Sequence, residues 1–226
     1  MSVGTDRPSA IVAGSTGLIG RALLKRLLED RNTGTVHALV RRADHGIAPQ
    51  PRLLTHKVDF ARAVALPLAY ECYIALGTTI RQAGSQEAFR HVDFDTVVAL
   101  AKAAKAAGVA RMALVSALGA DPNSTVFYNR VKGEAEEAVS DYGFERLVIA
   151  RPSLLLGDRS AIGQPLRPLE RMATMASRPL MPWMPSRWRP IDDAVVARAL
   201  VRRMREEGPK VQVLESAELA RLGRAG

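Results

Sequence analysis

Three regularly spaced glycines, placed between an apolar strand and an amphipathic helix, constrain the fold of this chain more than any other feature. The strand is predicted over Ser9–Ala13, and the glycines are Gly14, Gly17 and Gly20. The first permits a tight turn, the second lets the backbone approach a pyrophosphate, and the third lets the helix pack close to the strand. The free N–H groups at the helix start favour phosphates. Contacts with a dinucleotide are therefore expected along the whole turn, at Gly14, Ser15, Thr16, Gly17, Leu18, Ile19 and Gly20.

Short apolar, β-rich runs alternate with segments of helical periodicity along the chain. Strands are predicted over Ser9–Ala13, Val36–Val40, Leu53–Val58, Cys72–Leu76, Met112–Val115, Leu147–Ala150 and Val211–Leu214. Helices are predicted over Leu18–Asp30, Gln86–Ala107, Tyr128–Tyr142 and Ile191–Arg205. The strands are continuously apolar, which is typical of a parallel sheet covered by helices on both faces. The predicted fold class is therefore α/β, a doubly wound parallel sheet (Rossmann fold).

One domain spanning residues 1–226 is expected, because hydrophobic residues make up 47% of the chain and supply a sizeable core. Proline, methionine and tryptophan cluster at about residues 157–190. Open α/β sheets bind ligands at the carboxyl ends of their strands, so this segment is interpreted as a small C-terminal cap over the substrate. An ordinary loop and helix covering apolar core is the alternative.

The formal net charge of +9 raises the question of a nucleic-acid partner. The basic residues are dispersed and no basic face interleaved with aromatic residues is visible, so solvated surface arginines are the simpler interpretation. No apolar stretch approaches the roughly 18 residues of a membrane-spanning helix. The chain has one cysteine, Cys72, and no recognisable secretory signal, so a cytoplasmic location is expected.

The end of the second predicted strand indicates which dinucleotide binds. Val36–Val40 is followed by Arg41 and Arg42, about 20 residues beyond Gly20. NAD-binding domains usually place an acidic residue there for the ribose 2′-OH, whereas guanidinium groups suit the oxygens of a 2′-phosphate. The arginine pair favours NADP(H) over NAD(H), and the alternative is that both are merely solvated.

Two further strand ends are expected to reach the same ligand. Asp59 and Phe60 close the third strand, where the carboxylate could accept a hydrogen bond from an adenine amino group. Asp59 could equally cap a helix that follows it. Leu76, Gly77 and Thr78 close the fourth strand, where a small residue leaves room beside the cofactor.

A tyrosine and a lysine four residues apart provide the candidate chemistry. Tyr128 and Lys132 share one face at the start of a predicted helix, after the fifth strand. A lysine ammonium near a phenol favours the phenolate, so the tyrosine can exchange a proton with a carbonyl or alcohol oxygen. The alternative is a surface tyrosine beside a helix lysine.

The glycine turn, Asp59, the Tyr128/Lys132 pair and Arg151–Pro152 together resemble the short-chain dehydrogenase/reductase superfamily. The resemblance is closest to its atypical branch, in the group of the human Tat-interacting tumour-suppressor protein and bacterial NAD(P)-binding relatives. It extends from about residue 9 to about residue 200. Three stretches carry the closer match, at Ala75–Thr79, Leu114–Asp121 and Phe127–Glu134.

The resemblance implies a hydride transfer in which Tyr128 donates or accepts a proton and Lys132 also holds the nicotinamide ribose. It implies that a serine after the fifth strand orients the substrate oxygen. Ser116 is the best match, with Ser124 and Thr125 as substitutes. A stretch after the sixth strand would lie along the nicotinamide, at Arg151, Pro152, Ser153 and Leu154. A core strand that ends in a proline is the alternative for that stretch.

Other candidate residues point to no further chemistry. Cys72 lies in an apolar strand and is interpreted as a packing residue, and Asp192–Asp193 as the cap of the following helix. No metal is expected, because the histidines lack ligand spacing: His37, His45, His56 and His91.

The sequence thus predicts an NADP(H)-dependent oxidoreductase acting on a small, apolar carbonyl or alcohol. The alternative is a non-catalytic NADPH-binding sensor of redox state that acts through a protein partner. A homodimer or a regulatory partner is left open, and neither a membrane nor a nucleic acid is expected as a partner.

Overall fold

The computed structural model describes residues 7–60, 65–156, 185 and 188–224. The strands are β1 (Ala10–Ala13), β2 (Val36–Val40), β3 (Leu53–Lys57), β4 (Glu71–Ile74), β5 (Arg111–Val115), β6 (Arg146–Arg151), β7 (Leu155–Leu156), β8 (Ile191–Asp192) and β9 (Val211–Glu215). The helices are α1 (Leu18–Glu29), α2 (Ile80–Ala83), α3 (Gln86–Arg90), α4 (Thr96–Ala106), α5 (Phe127–Ser140), α6 (Asp193–Arg205) and α7 (Ser216–Arg224). A π-helical turn, His91–Asp95, joins α3 to α4.

Seven of these strands form one parallel sheet in the order β3-β2-β1-β4-β5-β6-β9. The chain runs outward from β1 to β2 and β3, and then returns to β4 on the other side of β1. The order therefore reverses between β1 and β4, and sheets of this kind bind ligands in the crevice at that point. The predicted doubly wound α/β class is confirmed.

Alternate residues of β1 show how the sheet separates two layers of core. Ala10 and Val12 pack with side chains of α1, α6 and α7. Ile11 and Ala13 pack on the opposite face with side chains of α4 and α5. Because both faces are covered, all four residues are fully buried, which accounts for the continuously apolar strands.

The main departure from the predicted elements lies in the segment expected to form one helix over Gln86–Ala107. It is divided into α3, the π-helical turn and α4. A π-helical turn adds a residue to a helical turn and often occurs at functional sites. The sequence predicts one helix here because α3, the turn and α4 follow one another without a break.

A second departure lies at the helix predicted to start at Ile191. Ile191 and Asp192 instead form β8, which pairs in parallel with β7. The helix begins at Asp193, and the Asp192 carboxylate accepts a hydrogen bond from the Ala194 N–H at 2.8 Å. The predicted capping role of this aspartate pair is confirmed.

The interpretation of residues 157–190 as a cap falls largely outside the described residues, which include only 185 and 188–190 of that segment. β7 precedes the segment and β8 follows it. Within the described part of the chain, none of the helices has the length and apolarity needed to cross a membrane.

Candidate active site

The glycine turn lies at the reversal point between β1 and β4. Gly14 has a φ of +83°, a conformation that favours glycine. A Cβ added there would lie 2.4 Å from the Ala75 carbonyl oxygen, so the turn packs directly against the end of β4. A Cβ on Gly20 would lie 2.0 Å from the Gly14 carbonyl oxygen, so α1 packs closely on the turn. These contacts agree with the roles expected of the first and third glycines.

Gly17 differs from the other two glycines because it has space beside it. It is the N-cap of α1, with φ −80° and ψ 172°. The nearest atom to an added Cβ would be the Gly14 carbonyl oxygen at 3.4 Å, and Gly17 lines a cleft. A ligand can therefore approach its backbone closely, as the sequence predicts.

Several side chains of the turn serve the fold instead of the cleft. The buried Ser15 hydroxyl donates to the Leu39 carbonyl at 2.9 Å and ties the turn to β2. Leu18 and Ile19 are buried in the apolar core. These three residues could bind a phosphate only through their backbone, whereas Thr16 lines the cleft.

The cleft has a volume of about 500 Å³, in the range of small-molecule and cofactor sites. It brings together residues of the glycine turn, β2 and the segments that follow β2, β3 and β4. The predicted members that line it are Gly14, Thr16, Gly17, Arg41, Arg42, Phe60, Leu76 and Gly77. Asp59 and Thr78 are not among its lining residues, although both are adjacent to residues that are.

The charged part of the cleft lies at the end of β2. Arg41 and Arg42 are exposed, and in the described part of the chain neither forms a hydrogen bond or an ion pair. Arg21 from α1 also lines the cleft, together with Asp44 and His45. Three guanidinium groups against one carboxylate make this end attractive to an anion.

Lys132 occupies the other end of the site and is almost entirely buried. Its Nζ lies 2.7 Å from Asp93 Oδ1, and the Asp93 side chain is fully buried. The other Asp93 oxygen accepts a hydrogen bond from the Thr78 N–H at 2.9 Å. Burial lowers the pKa of Lys132, but Asp93 and then Tyr128 raise it, and the net shift is upward. Lys132 is therefore held as an ammonium ion.

Gly77 connects the two ends of the site. It lines the cleft, and a Cβ added to it would lie 3.3 Å from Asp93 Oδ1 and 3.6 Å from Lys132 Nζ. A ligand that fills the cleft therefore extends towards Lys132. Tyr128 is half-buried one helical turn before Lys132, with its ring centroid 5.2 Å from that of the buried Phe89.

The serine candidates differ in how their hydroxyls are used. Ser116 follows β5, and its buried Oγ has no hydrogen-bond partner among the described residues. Ser124 Oγ instead accepts from the Val126 N–H at 3.2 Å, just before α5, and Thr125 is exposed. An unpaired buried hydroxyl at the carboxyl end of a strand suits substrate orientation, which favours Ser116.

The stretch after β6 is occupied by other contacts. The Arg151 guanidinium lies 2.6 Å from Glu136 Oε2 and 3.2 Å from Glu215 Oε1. The Ser153 hydroxyl donates to the Arg189 carbonyl at 2.5 Å, and Pro152 is buried. The charge of Arg151 is therefore already paired within the fold. Contact between these side chains and a nicotinamide stays a prediction.

The sequence did not predict Asp93 and Arg21 as residues of the site. The signal for Asp93 was an acidic residue on the apolar face of a helix, four residues after Phe89. Arg21 directly follows Gly20 and had no local signal that set it apart from other surface arginines.

His37 and His56 are brought together by the pairing of β2 with β3, although their spacing suggested no relation. Their Nδ1 and Nε2 atoms are 2.9 Å apart, and burial and then the His56 charge lower the pKa of His37. Among the described residues no group of three or more metal-binding side chains occurs. Cys72 is buried, which raises the pKa of its thiol to about 12 and agrees with a packing role.

The residues present fit a dinucleotide. The open side of Gly17 and the dipole of α1 suit a pyrophosphate, and unpaired guanidinium groups lie at one end of the cleft. At the other end, Lys132 lies beside Gly77, and Tyr128 precedes Lys132 by one helical turn, although neither residue lines the cleft itself.

Comparison with known proteins supports this assignment. Residues 14–171 match a protein family described as NAD(P)H-binding. The mitochondrial protein FMP52 of Coccidioides immitis is 31% identical over 240 residues, covering 94% of this chain and 95% of that protein. FMP52 of Eremothecium gossypii is 38% identical over 152 residues, covering 67% of this chain and 68% of that protein.

Solved structures of low identity share the fold. The Bordetella bronchiseptica enzyme WbmG, in complex with NAD, has a TM-score of 0.71 at 15% identity, covering 96% of this chain and 76% of that one. A UDP-N-acetylglucosamine 4-epimerase from Methanobrevibacter ruminantium has a TM-score of 0.70 at 14% identity, covering 92% of this chain and 76% of that one.

The relatives correct one expectation. They are named as mitochondrial proteins, which contradicts the cytoplasmic location expected from the sequence. A single cysteine indicates only that the fold does not depend on disulfides, and this property does not identify an organelle. The family match, the relatives and the doubly wound fold agree with each other and with the resemblance to the atypical short-chain dehydrogenase/reductases: this chain belongs to the NAD(P)H-binding family and is a relative of FMP52.

Proposed function

We propose that this protein is an NADP(H)-dependent oxidoreductase that transfers a hydride to or from a small, apolar carbonyl or alcohol substrate. The observation that carries the proposal is the position of Gly77, which lines the cleft and also lies beside Lys132 and Asp93. A dinucleotide bound along the cleft from Gly17 would bring its reactive end to Tyr128 and Lys132.

The preference for NADP(H) is supported by charge at the end of β2. Arg41 and Arg42 line the cleft, and no acidic residue stands directly at the strand end to bind a ribose 2′-OH. Guanidinium groups form paired, charge-assisted hydrogen bonds with phosphate oxygens. Because neither arginine is bonded to another described residue, both are available to a 2′-phosphate.

When bound, the cofactor supplies or accepts the hydride, and the side chains manage the proton. In the reducing direction the Tyr128 hydroxyl donates its proton to the carbonyl oxygen, so that hydride and proton together yield the alcohol. The Lys132 ammonium stabilises the negative charge left on the Tyr128 oxygen. Ser116 Oγ donates a hydrogen bond to the same substrate oxygen.

An apolar substrate is supported by the aromatic groups near Tyr128. Phe89 is buried, with its ring centroid 5.2 Å from that of Tyr128 and 6.0 Å from that of Phe127. Val126, directly before Phe127, is 55% exposed. Apolar side chains beside a proton donor suit a substrate whose carbonyl group is its main polar group.

Replacing Tyr128 with Phe tests the proposal. The ring and its packing on Phe89 are kept, and only the hydroxyl is lost. NADPH oxidation with a panel of aldehydes and ketones should fall by about 10²–10⁴-fold, the usual contribution of general acid catalysis. NADPH affinity by calorimetry should stay near that of the wild type. Tyr142→Phe, just after the same helix, is the matched control and should leave both quantities unchanged.

Three results would count against the proposal or a part of it. Equal turnover by wild type and Tyr128→Phe would remove the tyrosine from the mechanism. A wild type that binds NADH more tightly than NADPH would overturn the cofactor preference. Tight NADPH binding without turnover across the panel would favour the alternative of a redox-sensing protein that acts through a partner.

A further inference from the structure

Arg21 lies where α1 meets the charged end of the cleft. It follows Gly20 directly, and its backbone N–H donates to the Gly17 carbonyl at 2.9 Å in the first turn of α1. Helical side chains point back towards the N-terminus of their helix. The Arg21 side chain therefore returns to the glycine turn, and it lines the cleft together with Arg41 and Arg42.

The guanidinium of Arg21 joins two walls of the cleft. Its Nε donates to the Thr16 carbonyl at 3.3 Å, on the glycine turn. Its Nη1 donates to the Gly46 carbonyl at 3.2 Å, on the loop that follows β2. Gly46 has a φ of +60°, and a Cβ added there would lie 3.4 Å from Arg21 Nη2. Arg21 thus fixes the loop of residues 43–47 against the turn.

These contacts hold the guanidinium without neutralising it. Both partners are carbonyl oxygens, and among residues 7–60, 65–156, 185 and 188–224 no carboxylate pairs with Arg21. Arg151 and Arg205, by contrast, are each paired with two carboxylates. A guanidinium has five N–H groups, of which two are used here, so three remain for a ligand.

We infer that Arg21 determines cofactor specificity, as a third guanidinium that binds the phosphomonoester on the adenosine ribose and fixes the loop around it. Its role differs from that of Arg41 and Arg42, which no described residue holds in place. An oriented donor loses less side-chain entropy on binding than a mobile one. A phosphomonoester carries up to two negative charges, which three guanidinium groups can match. A ribose hydroxyl is uncharged and does not need three guanidinium groups to bind it. This inference rests on the proposed function, because it requires the 2′-phosphate of NADP(H).

Calorimetry with NADP⁺ and NAD⁺ tests the inference, because the two ligands differ only in the 2′-phosphate. Arg21→Gln should weaken NADP⁺ binding by about tenfold or more, the usual effect of losing a charged hydrogen bond. Its affinity for NAD⁺ should stay within about twofold of wild type, since no 2′-phosphate contact is lost. Arg21→Lys keeps the charge but loses the planar fork, so its NADP⁺ affinity should be intermediate.

Lys25→Gln is the matched control, because it removes one positive charge from an exposed position of the same helix. It should leave both affinities unchanged. Thermal melting of each variant establishes that it is folded. If Arg21→Gln keeps the wild-type ratio of NADP⁺ to NAD⁺ affinity, the inference is wrong, whether both affinities fall or neither does. If wild type shows no preference for NADP⁺, the cofactor assignment of the proposed function fails, and the role of Arg21 fails with it.

Discussion

Asp93 holds together two parts of the site through its two carboxylate oxygens. One lies 2.7 Å from Lys132 Nζ on α5, and the other accepts the Thr78 N–H after β4. A buried charge of this kind is costly unless it is paired and hydrogen-bonded, and here it is both. Its position on the π-helical turn brings the carboxylate to the site from a helix that otherwise packs against the core.

Asp93→Asn should destabilise the protein by about 3–5 kcal/mol at neutral pH, because it leaves the Lys132 ammonium buried without its partner. The pKa of Lys132 should then fall below its ordinary value, so that part of the lost stability returns as the pH is raised towards 10. Urea unfolding at a series of pH values measures both effects.

A double-mutant cycle separates the ion pair from packing. Lys132→Met removes the charge while filling a similar volume, so the variant with both changes should be more stable than the sum of the single changes indicates. Additive losses of stability would show that the two side chains are not coupled. A pH-independent loss in Asp93→Asn would contradict the electrostatic account.

At the scale of one element, two glycines of the turn allow close backbone packing and the third leaves space for a ligand. The first two are Gly14 and Gly20, and the third is Gly17. Gly20 lets α1 pack on the turn, where a Cβ would lie 2.0 Å from the Gly14 carbonyl oxygen. Gly17 has an ordinary φ of −80° and open space on the cleft side. Substitutions at the two positions should therefore have opposite consequences for stability and binding.

Gly17→Val should keep the unfolding temperature near that of wild type and weaken NADPH binding on the order of a hundredfold or more, because the side chain would occupy the space of the pyrophosphate. Gly20→Ala should instead cost about 1–3 kcal/mol of stability, because α1 must shift away from the turn. Circular-dichroism melting and calorimetry with NADPH measure the two quantities. Tight binding by Gly17→Val would remove the turn from the site.

At the scale of the whole molecule, ion pairs join elements that are distant in the sequence. Arg205 on α6 pairs with Asp30 at the end of α1 and with Glu71 at the start of β4. The start of β4 lies at the amino ends of the strands, on the side of the sheet opposite the cleft. Arg151 on β6 pairs with Glu136 on α5 and Glu215 on β9. These ion pairs connect helices with strands of the sheet that lie far away in the sequence.

The stability of the whole molecule should include a contribution from Asp193 that depends on pH. Burial, then a hydrogen bond with Asp192, raises the pKa of Asp193 from 3.8 to about 6. Because the folded state favours the neutral acid, this contribution is fully present below about pH 4 and is lost as the pH rises through 6. It should amount to no more than about 1 kcal/mol, since the carboxyl group is partly exposed and screened by water.

Urea unfolding between pH 4 and pH 7 measures the contribution as the difference between wild type and Asp193→Asn. The difference should favour wild type at the acidic end and decline towards neutrality. Glu137→Gln, at an exposed position of α5, is the control and should show no such trend. A difference that grows as the pH rises would show that the ionised form of Asp193 is the stabilising one.

Much of the fold could be predicted because its signals are local. Val36–Val40 is a strand with the same bounds in sequence and structure, and α1 differs from its predicted range by one residue. Apolar runs, a glycine turn and a helix start each depend on neighbouring residues, so a short window of sequence contains them. The spacing of Tyr128 and Lys132 is likewise a property of one helix.

The sequence by itself determined the seven strands of the main sheet, the glycine turn, and the end of β2 as the place where two arginines meet the cleft. Only the tertiary structure decided which charges are paired. Lys132 pairs with Asp93 on another helix, Arg21 reaches the Gly46 carbonyl, and Arg151 is held by Glu136. The physical reason is that an ion pair or a hydrogen bond requires atoms within about 3 Å of each other. The packing of helices on both faces of the sheet supplies that proximity for residues that no local pattern relates.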